Sequence, residues 1–92
     1  MDMKIQLTIE ISKQGARYVA YAPALDLSTS GKTEKEARKR FEELVEVFFE
    51  ELHEAGTLQD VLSELGWRKE SKQWKPPKFR TESVGIKPPV TA

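Results

Sequence analysis

Apolar and polar residues alternate strictly over residues 4–11, with isoleucine or leucine at positions 5, 7, 9 and 11. This period of two predicts a strand with one buried face. A second run, residues 17–22, is rich in tyrosine and valine and predicts another strand. Residues 12–15 between them end in Gly15, which adopts positive φ readily, so they predict the turn of a hairpin.

A third, short strand is predicted over residues 25–30, which are mostly small and polar. Pro23 should end the pairing of the second strand because it has no N–H to donate. Gly31 should break the third strand before the helix.

A long amphipathic helix is the clearest local prediction. Thr33 and Glu36 have the spacing of a capping box, and Gly56 suits the position after the last helical residue. Apolar residues follow at helical spacing: Ala37, Phe41, Leu44, Val45, Phe48, Leu52 and Ala55. The stripe should pack on the sheet and supply most of the core. Phe49 lies off it, which leaves open a wider core face or a contact with an oligomer or partner.

The chain after the long helix contains a second predicted helix, with Thr57 as its N-cap and Gly66 as its end. Trp67 and Trp74 then bracket a basic segment that predicts either a tight hairpin or an irregular loop. Weak alternation over residues 79–86 leaves a last strand open, and residues 87–92 predict a loose tail.

The predicted class is therefore α+β, in the order β-β-β-α-α with an open final β. A small antiparallel sheet should carry the long helix across one face. We place a β-β-β-α-α domain at residues 1–66 and a Trp-rich, basic and Pro-rich extension, partly loose, at residues 67–92.

The composition argues against several classes of function and location. Fifteen basic and fifteen acidic residues cancel, which argues against nucleic acid as the main partner. The chain has no cysteine, no apolar run long enough for a bilayer and no pattern typical of a signal peptide. The cytoplasm is the expected location, without membrane association.

The sequence contains no candidate catalytic group, so we do not expect an enzyme. The single histidine, His53, lies among glutamates near the helix end, where its charge would favour the helix dipole. The paired glutamates fall on the polar side of the helix, among lysines and arginines. One histidine and no cysteine also argue against a metal site, and we expect no catalytic residue and no cofactor.

A basic and aromatic segment, residues 67–80, offers an alternative function, nucleic-acid binding. Its named members are Trp67, Arg68, Lys69, Trp74 and Lys75. Basic residues interleaved with aromatic ones can bind a phosphate backbone and stack bases. The favoured interpretation is that the tryptophans are core or docking residues and the lysines solvate their surroundings.

Residues 18–25, followed by Gly31, Thr33, Glu36 and Ala37, resemble the HicB antitoxin family of type II toxin–antitoxin systems. The family shows an aromatic residue, alanine, proline and leucine in this order on its second strand, then a glycine, a capping threonine and a Glu-Ala pair. The resemblance covers about residues 3–56. This chain departs from the family at residues 26–30 and 32, and leaves little room for a DNA-binding module after residue 66.

The resemblance implies a partial ribonuclease-H-like fold without its catalytic carboxylates. It also implies a protein-binding role, in which the antitoxin covers the active surface of a small HicA-like ribonuclease toxin. The expected contact surface is a sheet edge with the connection that follows, and its candidate residues are Tyr21, Pro23, Leu25 and Asp26. A homodimer is expected from the exposed strand edges and from the resemblance.

Overall fold

A computed structural model of the chain describes residues 5–89. The elements in chain order are β1 (Glu10–Gln14), β2 (Arg17–Ala22), β3 (Leu27–Gly31), α1 (Glu34–Ala55), α2 (Leu58–Glu64), β4 (Arg68–Glu70) and β5 (Gln73–Lys75). Strands β1, β2 and β3 form one antiparallel sheet in that order, and β4 pairs with β5. The predicted α+β class, with a small antiparallel sheet and a long helix, is confirmed.

The first hairpin forms as predicted, but β1 lies later in the chain. Its turn is Gly15-Ala16, with positive φ only at Gly15. Residues 5–9 keep the predicted alternation of half-buried and exposed side chains, yet they belong to no strand. By the register, Ile9 lies opposite Ala22, the last residue of β2 before Pro23, so residues 5–8 have no strand residue to pair with. Lys4 lies outside the described residues.

A tight turn delays β3 by two residues relative to its prediction. The N–H of Leu25 donates to the carbonyl of Ala22 at 3.2 Å, and the N–H of Asp26 donates to the carbonyl of Pro23 at 3.3 Å. Asp26 has a φ of 52°, in the left-handed region that aspartate tolerates better than most residues.

Both ends of α1 lie where the sequence places them. The N–H of Glu36 donates to Thr33 Oγ1 at 3.0 Å, and the Glu36 carboxylate accepts a bond from the N–H of Lys32 at 3.2 Å. Gly56 has a φ of 70°, and its N–H bonds to the carbonyl of His53. Local hydrogen bonds therefore fix the two helix ends.

The core consists of two clusters of buried side chains. The first joins β2 to α1 and contains Ala20, Ala22, Ala37 and Phe41. The second joins the 23–26 turn to α2 and contains Ala24, Leu25, Leu62 and Trp67. Small residues at the first interface allow α1 to approach the sheet closely.

The apolar stripe of α1 is less buried than the sequence predicts. Its first members, Ala37 and Phe41, are buried, Leu44, Val45, Phe48 and Leu52 are half-buried, and Ala55 is exposed. Phe48 and Phe49 pack edge to face, with ring centroids 5.6 Å apart, against the second cluster. Of the two alternatives for Phe49, the wider core face is the one that this packing supports.

The chain beyond α2 forms the tight hairpin β4–β5, one of the two predicted alternatives. The weak prediction of a strand over residues 79–86 is wrong, because residues 76–89 form neither helix nor strand. Their side chains are almost all exposed, so the weak alternation of apolar and polar residues there does not correspond to a buried strand face. Within residues 5–89, no helix is both long and apolar enough to cross a membrane.

Candidate functional site

One face of the three-stranded sheet is covered by α1, and the other is open. Side chains paired across neighbouring strands share a face, so the register identifies the open side. We define the open sheet face as Glu10, Ser12, Gln14, Arg17, Val19, Tyr21, Ser28 and Ser30. All eight are exposed or half-buried. Val19 lies at the centre with a serine on either side, an apolar contact point within a small polar surface.

Tyr21 and Asp26 form a polar pair at the end of this face. The Tyr21 hydroxyl donates to Asp26 Oδ1 at 3.1 Å. This bond raises the pKa of Tyr21 above its ordinary 10.0, and partial burial and the charges of Asp26 and Glu10 add to the effect. Asp26 makes this contact from a left-handed backbone conformation, with a φ of 52°.

The four residues proposed as a partner surface separate into two groups. Tyr21 and Pro23 are half-buried and Asp26 is exposed, so all three present surface to a partner. Leu25 is only 2% exposed and packs in the second core cluster. Its contribution to a partner surface is therefore indirect, through the shape of the turn.

The two tryptophans of the basic segment are core residues. Trp67 is 3% exposed, and its indole Nε1 donates to the carbonyl of Ala24 at 2.7 Å. Trp74 is half-buried against the second cluster, with Lys69 Nζ 6.0 Å from its ring centroid. Trp67 has no ring face free for a base, and Trp74 has only part of one. The second core cluster thus includes Trp67, and Trp74 packs against it.

The charges of the β4–β5 hairpin are partly paired with each other. Glu70 lies 3.3 Å from the amine of Lys75 and 4.0 Å from the guanidinium of Arg68. These pairs are exposed and contribute little to stability, but they weaken the local positive field.

A groove that sequence reasoning missed lies between residues 5–9 and α1. Its volume is about 470 Å³. It is lined by Ile5, Gln6, Leu7, Ile9, Arg38, Phe41, Glu42, Val45 and Glu46. Its apolar side chains come from residues 5–9 and from α1, which the sequence predicts as separate elements. We call this feature the α1 groove.

Comparison of the chain with protein-family models, with curated proteins and with solved structures finds no match. Among residues 5–89, no three histidine, aspartate or glutamate side chains lie close enough together to hold a metal ion. The candidate sites are therefore the open sheet face with the 23–26 turn, and the α1 groove.

Proposed function

We propose that this chain is a HicB-like antitoxin, a protein-binding domain of the cytoplasm that neutralises a small HicA-like ribonuclease toxin by covering its active surface. The role requires a complementary surface and no catalytic group of its own. The observation that carries the proposal is the open sheet face, which presents Val19 and Tyr21 at the side of the sheet away from α1.

The residues of the resemblance also have physical roles in this fold, which supports their use as a family pattern. Ala20 and Ala37 meet in the first core cluster, and Thr33 caps α1. Gly31 lies so close to α1 that a side chain there would collide with the main chain. Fold alone does not determine function, so the partner must be identified by experiment.

Nucleic-acid binding by residues 67–80 has less support. Burial of Trp67 removes a stacking surface, and Glu70 offsets part of the positive charge. Binding through phosphates would weaken steeply as salt rises, whereas a contact centred on Val19 and Tyr21 would weaken less.

The test begins with tagged protein purified from its native cells, with bound proteins identified by mass spectrometry. We expect a small basic protein in a fixed ratio that survives nuclease and moderate salt. That protein, purified alone, should cleave RNA and should lose this activity when the present chain is added. Recovery of the chain alone, or with nucleic acid that washes off as salt rises, would contradict the proposal.

Matched variants locate the surface. Val19→Lys places a charge at the centre of the open sheet face, and Val47→Lys places the same charge on an exposed position of α1. We expect the first to abolish binding and inhibition and the second to preserve both. Circular dichroism verifies that both variants fold. Equal effects would exclude the open sheet face as the toxin-binding surface.

A further inference from the structure

Strand β1 has an outer edge that no strand of the described chain covers. It lies at one side of the three-stranded sheet, with β2 on its inner side. Gln14 and Arg17 flank the two-residue turn, which makes them a hydrogen-bonded pair, and such pairs alternate along an antiparallel ladder. Even-numbered residues of β1 therefore direct their N–H and C=O groups at β2, and odd-numbered residues direct theirs outward.

The outer edge continues beyond the start of β1. By the register, the next hydrogen-bonded pair of the ladder would be Thr8 with Pro23, and proline has no N–H to donate. Residues 5–9 keep the alternation of half-buried and exposed side chains, and their main chain bonds to no other described main-chain group. The row of outward N–H and C=O groups therefore extends from Ile5 to Lys13.

The opposite edge of the sheet is partly protected, whereas this one is not. On β3, the carbonyl of Ser30 accepts a bond from Arg40 Nη1 at 3.2 Å, so a side chain of α1 covers part of that edge. The edge formed by residues 5–13 contains no proline, and Lys13 is its single lysine. A long strand edge without such protection is a surface on which a further strand pairs.

The strand that fits this edge is the same strand of a second copy, which is apolar at alternate positions and lacks a partner on the matching side. We propose that residues 5–13 of two copies pair antiparallel about a twofold axis at Ile9. Three strands from each copy then form one continuous sheet. Residues 5–8, which have no strand partner in their own copy, lie beside residues 10–13 of the other copy, where β2 holds β1 in place. Both open edges are satisfied at once, because the two copies make the same contact.

The side chains favour this register over its neighbours. An axis at Ile9 places Leu7 of one copy opposite Ile11 of the other, on the α1 side of the sheet. On the open side, it places Thr8 opposite Glu10. An axis at Glu10 would set two like charges directly opposite each other, which is destabilising. An axis at Thr8 or at Ile11 would leave part of the edge unpaired. The contact leaves the open sheet face accessible, and its existence does not depend on antitoxin activity.

Disulfide formation tests the proposal on the full chain, which has no native cysteine. Thr8→Cys protein is mixed with Glu10→Cys protein and oxidised mildly, because the proposed register makes them a non-hydrogen-bonded pair within disulfide reach. The control mixes Thr8→Cys protein with Ser28→Cys protein, since Ser28 is an exposed position of the other edge strand. We expect the disulfide between copies to form at least several-fold faster for the 8/10 pair than for the 8/28 pair.

A proline variant separates main-chain pairing from side-chain contact. Leu7→Pro removes an outward N–H, whereas Leu7→Ala loses the same side chain and keeps the N–H. Neither change removes a main-chain bond within the chain, so circular dichroism should show both variants folded. We expect the dimer dissociation constant, measured by sedimentation, to be about tenfold or more higher for Leu7→Pro than for Leu7→Ala.

Three results would each overturn the proposal. The first is a native chain that stays monomeric in sedimentation, which would leave the edge to a strand of another protein. The second is an 8/10 disulfide that forms no faster than the 8/28 control. The third is an equal dissociation constant for the two Leu7 variants, because a contact made through main-chain bonds must respond to the loss of an N–H.

Discussion

The indole Nε1 of Trp67 donates a 2.7 Å hydrogen bond to the main-chain carbonyl of Ala24, 43 residues earlier in the chain. The main-chain N–H of Trp67 also donates to the carbonyl of Leu62 at 2.9 Å, which holds Trp67 at the end of α2. Trp67 thus connects the turn after β2 to the second helix. That turn carries Pro23 and Asp26, so this buried contact supports the shape of the candidate partner surface.

Trp67→Phe should destabilise the protein by about 1–3 kcal/mol, because the carbonyl of Ala24 is left buried without a donor. Urea unfolding followed by circular dichroism measures the change. Trp74→Phe is the matched control, since Trp74 is half-buried and makes no hydrogen bond through its indole within residues 5–89. Equal losses in the two variants would mean that the Trp67 bond contributes nothing beyond ring packing.

Local patterns predicted much of this fold because they report on short-range contacts. The ends of α1 depend on Thr33 and Gly56, whose hydrogen bonds join residues three or four positions apart. Strand β2 has the predicted bounds, because its alternation and Pro23 are both local signals. The predicted start of β1 is wrong. Where β1 begins depends on how many residues of β2 are available for pairing, and that is decided by contacts distant in sequence.

The candidate site was predicted less completely for the same reason. The sequence predicts both Tyr21 and Asp26 as partner-surface residues, but it does not predict the hydrogen bond that the turn allows between them. Leu25 is predicted on the same surface, whereas the turn directs it to the interior. The α1 groove combines residues 5–9 with a helix some thirty positions later, and no local sequence pattern predicts that contact.

Gly31→Ala should destabilise the protein, since an added Cβ would lie 2.6 Å from the main-chain nitrogen of Ala37. Backbone cannot move aside cheaply at a helix start, so we expect a loss of about 1–3 kcal/mol, as for overpacked cores. Gly85→Ala is the control, because a Cβ there has nothing within 4 Å and its φ is not positive. Thermal unfolding measures the stability of both variants. A Gly31→Ala protein as stable as Gly85→Ala would refute the close approach of Gly31 to the start of α1.

The two threonines that precede helices should differ in their contribution. Thr33 Oγ1 accepts the N–H of Glu36, whereas Thr57 makes no side-chain cap bond. We expect Thr33→Ala to cost about 1 kcal/mol and Thr57→Ala clearly less. Urea denaturation at one temperature compares them. Similar losses would show that Thr33 acts through packing or backbone preference and not through its hydroxyl.

The raised pKa of Tyr21 makes its bond to Asp26 sensitive to alkali. In the unfolded chain the phenol titrates near its ordinary 10.0, and in the folded chain it titrates higher. The stabilisation is therefore fully present below pH 10 and is lost as pH rises through the folded pKa. Tyr18→Phe leaves Tyr21 as the single tyrosine, so the ultraviolet absorbance of phenolate follows Tyr21 alone.

In that background, Asp26→Gly should lower the pKa of Tyr21. Glycine keeps the left-handed φ at no steric cost, so the change removes the acceptor and its charge without straining the turn. Asp26→Asn should give an intermediate titration, because the amide oxygen can still accept the hydroxyl but carries no charge. If the Asp26→Gly protein titrates at the same pH as its parent, the hydrogen bond is not the main cause of the shift, and partial burial with the charge of Glu10 must account for it.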